Sequence, residues 1–313
     1  KFHCFSFSIR LFALYAEIIL EPFGKIIYTN GRVLRKSGHW RDRQMDEFPM
    51  TQLEQLLKIC FREQDSVREH ILSADELSDY IRWMAEEYGG KAGYVVKADA
   101  IPDLKSKKLS ELGQRILSDP TDSQALLQLG KGYQTQMEER YFLSDYDISS
   151  ARVLRYMPAH WHSNEYFEVY YAFSGDCPVH FSNEIVMMHP GALLIVAPGV
   201  VHANPCYSDD AELVYYMIRK STFEQVFWSL LPKENLLAVF FRQALSSRQP
   251  NSYLHFETGS DPDIFRLMKQ IYEDYIAEER YCAQMMNALL SACFTLLLRR
   301  YEGSARLPRT EQF

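Results

Sequence analysis

The chain has 313 residues, 47% of them hydrophobic and 24% charged, which is enough to bury a core in one large domain or two ordinary ones and excludes a mostly disordered chain. A formal net charge of −7 excludes a basic footprint for nucleic acid over the whole chain. The charge is uneven: residues 1–44 carry +5, which leaves −12 for the rest. The six cysteines are scattered with no C-x-x-C pair, the usage expected of reduced thiols in a cytoplasmic protein. The apolar first twenty residues are interrupted by Arg10 and Glu17, so the uncharged run is too short to cross a bilayer, and no membrane partner is expected.

Residues 1–44 read as an extension, expected to be poorly ordered. Patterned sequence begins near Met45 and Met50, either of which suits a natural start. Residues 45–148 read as a helical segment. Helical spacing covers 51–62 and 74–88, where Ser73 and Glu76 form a capping box and Gly89-Gly90 a stop. Two or three further helices are expected between Ser106 and Tyr141. From 149 to 220 the texture changes to short β-rich runs separated by turn residues: ARVLRYM, EYFEVYYAFSG, PVHFSN, EIVMMHPG, ALLIVAPG and AELVYYMIRK. Residues 221–302 return to helices around one strand, NSYLHFET. Asp261-Pro262 opens the first of two long terminal helices, and the second runs from about Cys282 to Tyr301. Residues 303–313 read as a tail or linker. The fold class is α+β.

Five of the nine histidines fall between His160 and His202. Alternate residues of a strand share a face, so His160 and His162 point one way, while Tyr166, Glu168, Tyr170 and Ala172 share a face of the next run. The Pro198-Gly199 turn delivers His202. His180, His189 and Trp161 read as ordinary strand, turn and packing residues.

These two histidine-bearing stretches, PAHWHSNEYFEVYYAFSG and GALLIVAPGVVH, resemble the paired motifs of the cupin superfamily. The resemblance implies a double-sheet jelly-roll β-barrel in which His160, His162, Glu168 and His202 converge, often on a metal. Five residues separate His162 from Glu168, a wider gap than such motifs usually have, and Glu168 can still face inward if Ser163-Asn164 bulges or turns. The order of barrel, paired helices, strand and two terminal helices is similar to the sensor and dimerisation domain of AraC/XylS-type transcription regulators.

That likeness implies an effector-sensing, dimerising module rather than an enzyme, with no catalytic residue and no cofactor. A small polar effector, a sugar or an organic acid, would meet His160, His162, Glu168, Tyr170 and His202. A homodimer would form along the last helix through Leu289, Cys293, Leu296 and Leu297, because Phe294 and Leu298 otherwise stay in water. DNA would be met only through a domain missing from this chain. The alternative is a metal-dependent cupin enzyme, a dioxygenase or an isomerase, with one divalent transition metal on His160, His162, Glu168 and His202.

Overall fold

A computed structural model describes residues 50, 52–73, 75–77, 79, 80, 83, 134–136, 146–225, 234–246, 253–277 and 280–308. The expected extension 1–44, the Gly89-Gly90 stop and most of the stretch from Ser106 to Tyr141 lie outside these residues.

Among the described residues, helices α1 (Gln52–Glu63) and α2 (Asp65–Glu69) come first. The capping box follows as expected: the Ser73 N–H donates to Glu76 Oε2 at 2.7 Å, and the Glu76 N–H donates to Ser73 Oγ at 3.3 Å. The strands are β1 (Gln134–Gln136), β2 (Ile148–Arg152), β3 (His162–Asn164), β4 (Phe167–Ser174), β5 (Cys177–Phe181), β6 (Ile185–Met188), β7 (Ala192–Val196), β8 (His202–Ala203) and β9 (Glu212–Ile218). Helices α3 (Lys220–Gln225) and α4 (Leu236–Ser246), strand β10 (Tyr253–Glu257), and helices α5 (Pro262–Ala277) and α6 (Cys282–Tyr301) complete the order.

Two five-stranded sheets run β1-β3-β8-β5-β6 and β10-β7-β4-β9-β2. Every pairing is antiparallel except β1 on β3. Their inner faces meet through pairs such as Phe181 stacked on Tyr253, ring centroids 4.6 Å apart. No ladder among the described residues joins the two sheets, so the expected barrel is an open double sheet.

β4 is central and buried along nearly its whole length. Strand alternation divides its side chains. Glu168 and Tyr170 face the other sheet, where both meet His202. Phe167, Tyr171 and Phe173 face the C-terminal helices. Phe167 meets Phe241 of α4 edge-on at 5.5 Å, and Phe173 meets Phe265 of α5 at 5.4 Å. Fully burying a side chain of this kind contributes about 1.5–3 kcal/mol. The helices are therefore the second cover of this sheet. Gly191, at φ 86°, makes the β6–β7 turn that fits under the end of β10; a Cβ there would lie 1.8 Å from the Gly259 carbonyl.

Asp261 caps α5 as expected, its Oδ1 accepting the Asp263 and Ile264 N–H groups at 3.0 and 3.3 Å. Among the described residues α6, with the turn after it, is long and apolar enough to cross a membrane, but Cys282, Met286, Leu290, Cys293, Phe294 and Leu297 are buried in the domain core.

Three expectations need correction. Of ARVLRYM only Ala151 and Arg152 are strand, the end of β2, because Tyr156 turns the chain at φ 64° and its N–H binds Cys206 O at 2.7 Å. Residues 134–136, expected among helices, form β1, whose polar QTQ has no apolar period to set a helix and instead pairs with β3. On α6, Phe294 is fully buried against Phe241 at 5.6 Å, and Cys293 and Leu297 are likewise fully buried. The remaining surface strip is Tyr281, Met285, Ala288 and Ala292, edged by half-buried Leu289, Leu296 and Leu298.

Candidate functional site

His162 and His202 face each other across the β3–β8 pair, their rings 4.4 Å apart. Glu168 reaches them from β4 in the opposite sheet. The wide spacing between His162 and Glu168 is the crossing itself: the chain leaves β3 after Asn164, turns at Glu165-Tyr166 and enters the other sheet at Phe167. Parity along one strand therefore never links the two residues, and no bulge is required. Glu165, the other acid in the gap, is exposed.

The ligand atoms of His162, Glu168 and His202 lie within 4.8 Å of one another, and all three residues are buried. His202 Nε2 is 2.9 Å from Glu168 Oε2. Tyr170 O–H donates to Glu168 Oε2 at 3.0 Å and lies 3.0 Å from His202 Nε2. Nδ1 of His162 donates to His160 O, and Nδ1 of His202 to Val200 O, each at 3.0 Å. These carbonyls fix both rings so that Nε2 points into the site. At His202, Nε2 then faces a carboxylate oxygen, an arrangement that a proton or a metal cation between them satisfies.

Burial and the neighbouring imidazole of His202 pull His162 down to about 4. Burial and the other two histidines pull His160 down to about 3. Burial opposes ionisation of Glu168, yet the hydrogen bond and charge of His202, with His162 and Tyr170, outweigh it and hold the carboxyl below its ordinary value. Tyr170 is driven well above the ordinary phenol value, first by burial and then by the Glu168 charge.

The structure thus brings together His162, Glu168, Tyr170 and His202. His160 stands outside the group: its half-buried ring is 5.2 Å from that of His162, ahead of β3, where its backbone bridges to Leu72. Its contribution is the backbone carbonyl that orients His162. His189 is exposed and pairs with Asp176 at 2.8 Å, away from this cluster.

Sequence reasoning missed Asn164. It lies two residues beyond His162 on β3 and so shares its inward face. It is buried, and neither atom of its amide has a hydrogen-bond partner. A buried amide with both functions unpaired is destabilising by about 1–3 kcal/mol for each group left bare, which marks a place for a ligand or a water. The available signal was position, an amide one strand period after a singled-out histidine.

Two imidazoles oriented by backbone carbonyls and a carboxylate fit a divalent transition metal. His162, Glu168 and His202 would hold it, and it would supply Lewis acidity there.

No family model matches this chain, and no curated protein matches it. Solved structures that resemble it include a cupin-2 domain protein from Shewanella frigidimarina, 18% identical over 25% of this chain and 74% of that one, with a TM-score of 0.21. Another is ToxT from Vibrio cholerae, 12% identical over 50% of this chain and 57% of that one, with a TM-score of 0.33. A third is the AraC-like transcriptional activator CuxR, 10% identical over 54% of this chain and 56% of that one, with a TM-score of 0.32. The chain thus spans little more than half the length of the two regulators.

Proposed function

We propose that this domain is the effector-sensing part of a cytoplasmic, AraC-like transcription regulator and that it binds a small polar molecule between its two sheets. The observation that carries this reading is the unpaired Asn164 amide on the inward face it shares with His162. A sugar or hydroxy acid offers the donor and acceptor the amide lacks, and the Glu168–Tyr170–His202 network adds further polar contacts. Output follows from β4: Glu168 and Tyr170 face the ligand, while the flanking residues Phe167, Tyr171 and Phe173 face α4 and α5. A ligand that prefers one position of β4 biases the helices behind it. In this reading two copies pair along the Tyr281–Met285–Ala288–Ala292 strip of α6 with Leu289 and Leu296 at its edges, and DNA is met through another domain.

A second reading, a metal-dependent dioxygenase or isomerase, is favoured by the convergence of His162, Glu168 and His202. A thermal-shift panel of monosaccharides and hydroxy acids, run with elemental analysis of the same sample, separates the two. Sensing predicts substoichiometric metal and a panel member that stabilises the wild type but not Asn164→Ala. Stoichiometric iron, manganese, nickel or zinc that is lost in His162→Ala and His202→Ala would instead establish the enzyme reading.

A further inference from the structure

Away from the interior site, Glu54 on α1 is fully buried against the sheet that carries β2. Its Oε1 accepts from the Arg155 backbone N–H at 3.1 Å and from Arg155 Nε at 3.2 Å. Its Oε2 accepts from Arg155 Nη2 and Arg152 Nη2, both at 3.2 Å. A backbone N–H and the forked guanidinium of Arg155, joined by Arg152, enclose one carboxylate from a segment about a hundred residues away in the chain.

The donors are held in place without Glu54. Arg155 Nη1 donates to Asp209 O at 2.7 Å, and Arg152 Nη1 lies 3.4 Å from Glu212 Oε2. Burial, with the Glu54 charge added to it, pushes Glu212 up to about 7 beside Arg152 and Arg155, and one carboxylate there stands against two guanidinium charges. Removing the Glu54 carboxylate would take one negative charge and four accepted hydrogen bonds away from these donors. Apart from Glu54, α1 rests on apolar contacts such as Phe61 against Tyr156 and Tyr207, at 5.5 and 4.5 Å, and on the surface pair Lys58–Asp209. A buried ion pair adds little net stability, because desolvation offsets the attraction, so its value here is as a specific seat.

We propose that Arg152, Arg155 and the Arg155 backbone N–H form a carboxylate-binding site separate from the interior histidine–glutamate site, that Glu54 is its tethered occupant, and that a small free carboxylate takes the place of Glu54 and releases α1. The N-terminal helix is thus a second ligand-responsive element, answering to organic acids through a different part of the molecule. The inference does not depend on what the interior site binds.

The test is backbone hydrogen exchange across residues 55–63 of the full chain during an acetate titration, with chloride at equal ionic strength as control. The expected result is a saturable, several-fold rise in α1 exchange with acetate and none with chloride. In Glu54→Ala, α1 should exchange rapidly from the outset, and acetate should raise the melting temperature where chloride does not. The added substitution Arg155→Ala should abolish that gain. If α1 exchange in the wild type is the same in acetate as in chloride, or if Glu54→Ala responds equally to both anions, the proposal fails. The wild-type titration decides the matter even if Glu54→Ala does not fold.

Discussion

Glu168 and His202 hold each other in a place where either alone would be destabilising. His202→Ala leaves a buried carboxylate beside Tyr170 without the imidazole that faces it, and is expected to destabilise the fold by about 1–3 kcal/mol. Glu168→Gln removes the charge and keeps the shape, so its cost should be smaller. Urea denaturation of both variants checks the order, and equal losses would contradict the pairing. The histidines also set a pH dependence. Burial is the largest cause holding His162 and His255 at about 4, below the ordinary 6.5. As pH falls, the unfolded chain takes up these protons first, so the stability present above about pH 6.5 is lost progressively towards about pH 4. Glu212, held up to about 7, works the other way over this range, but the three depressed histidines outweigh it, so the melting temperature should drop between about pH 7 and about pH 5, and less steeply in His162→Gln. A flat profile in the wild type would contradict the assignment.

At the scale of elements, the two sides of α6 should respond differently to substitution. Leu297 is fully buried, so Leu297→Ala should destabilise the domain by about 2–5 kcal/mol. Met285 and Ala292 are exposed on the surface strip, so Met285→Glu with Ala292→Glu should leave the fold intact and weaken self-association. Sedimentation and circular dichroism on both proteins separate these effects. A wild type that is monomeric at tens of micromolar would show that α6 serves only its own domain. β4 carries the other element-scale consequence. Phe167→Ala and Phe173→Ala lie outside the interior site, yet they should uncouple any ligand-induced change in exchange of α4 and α5 while leaving ligand affinity nearly intact.

Over the whole molecule, what the sequence revealed was what local chemistry fixes. The Ser73–Glu76 capping box, the Asp261 cap and the alternation of β4 each depend on residues a few positions apart, and each is present as read. Glu168, Tyr170 and His202 were legible because parity and a turn residue set their directions. What was not legible depends on which sheet a strand joins. The crossing between β3 and β4 turned an awkward spacing into a contact between sheets, and it left His160 outside the cluster. Arg155 and Glu54 are about a hundred residues apart, with no local pattern to connect them. The burial of Phe294 and Leu297 could not be read from helical spacing, which shows how many faces of α6 are apolar but not which of them the domain itself covers.

A crystal structure of the purified chain at a resolution that shows ordered waters would test the central claim most directly, by what stands beside Asn164. The expected result is a small polar molecule, or waters in its place, bonded to both ends of the Asn164 amide and to the Glu168–Tyr170–His202 network. A metal ion about 2.1 Å from His162, Glu168 and His202, or an Asn164 amide turned onto protein groups with the interior packed solid, would contradict it.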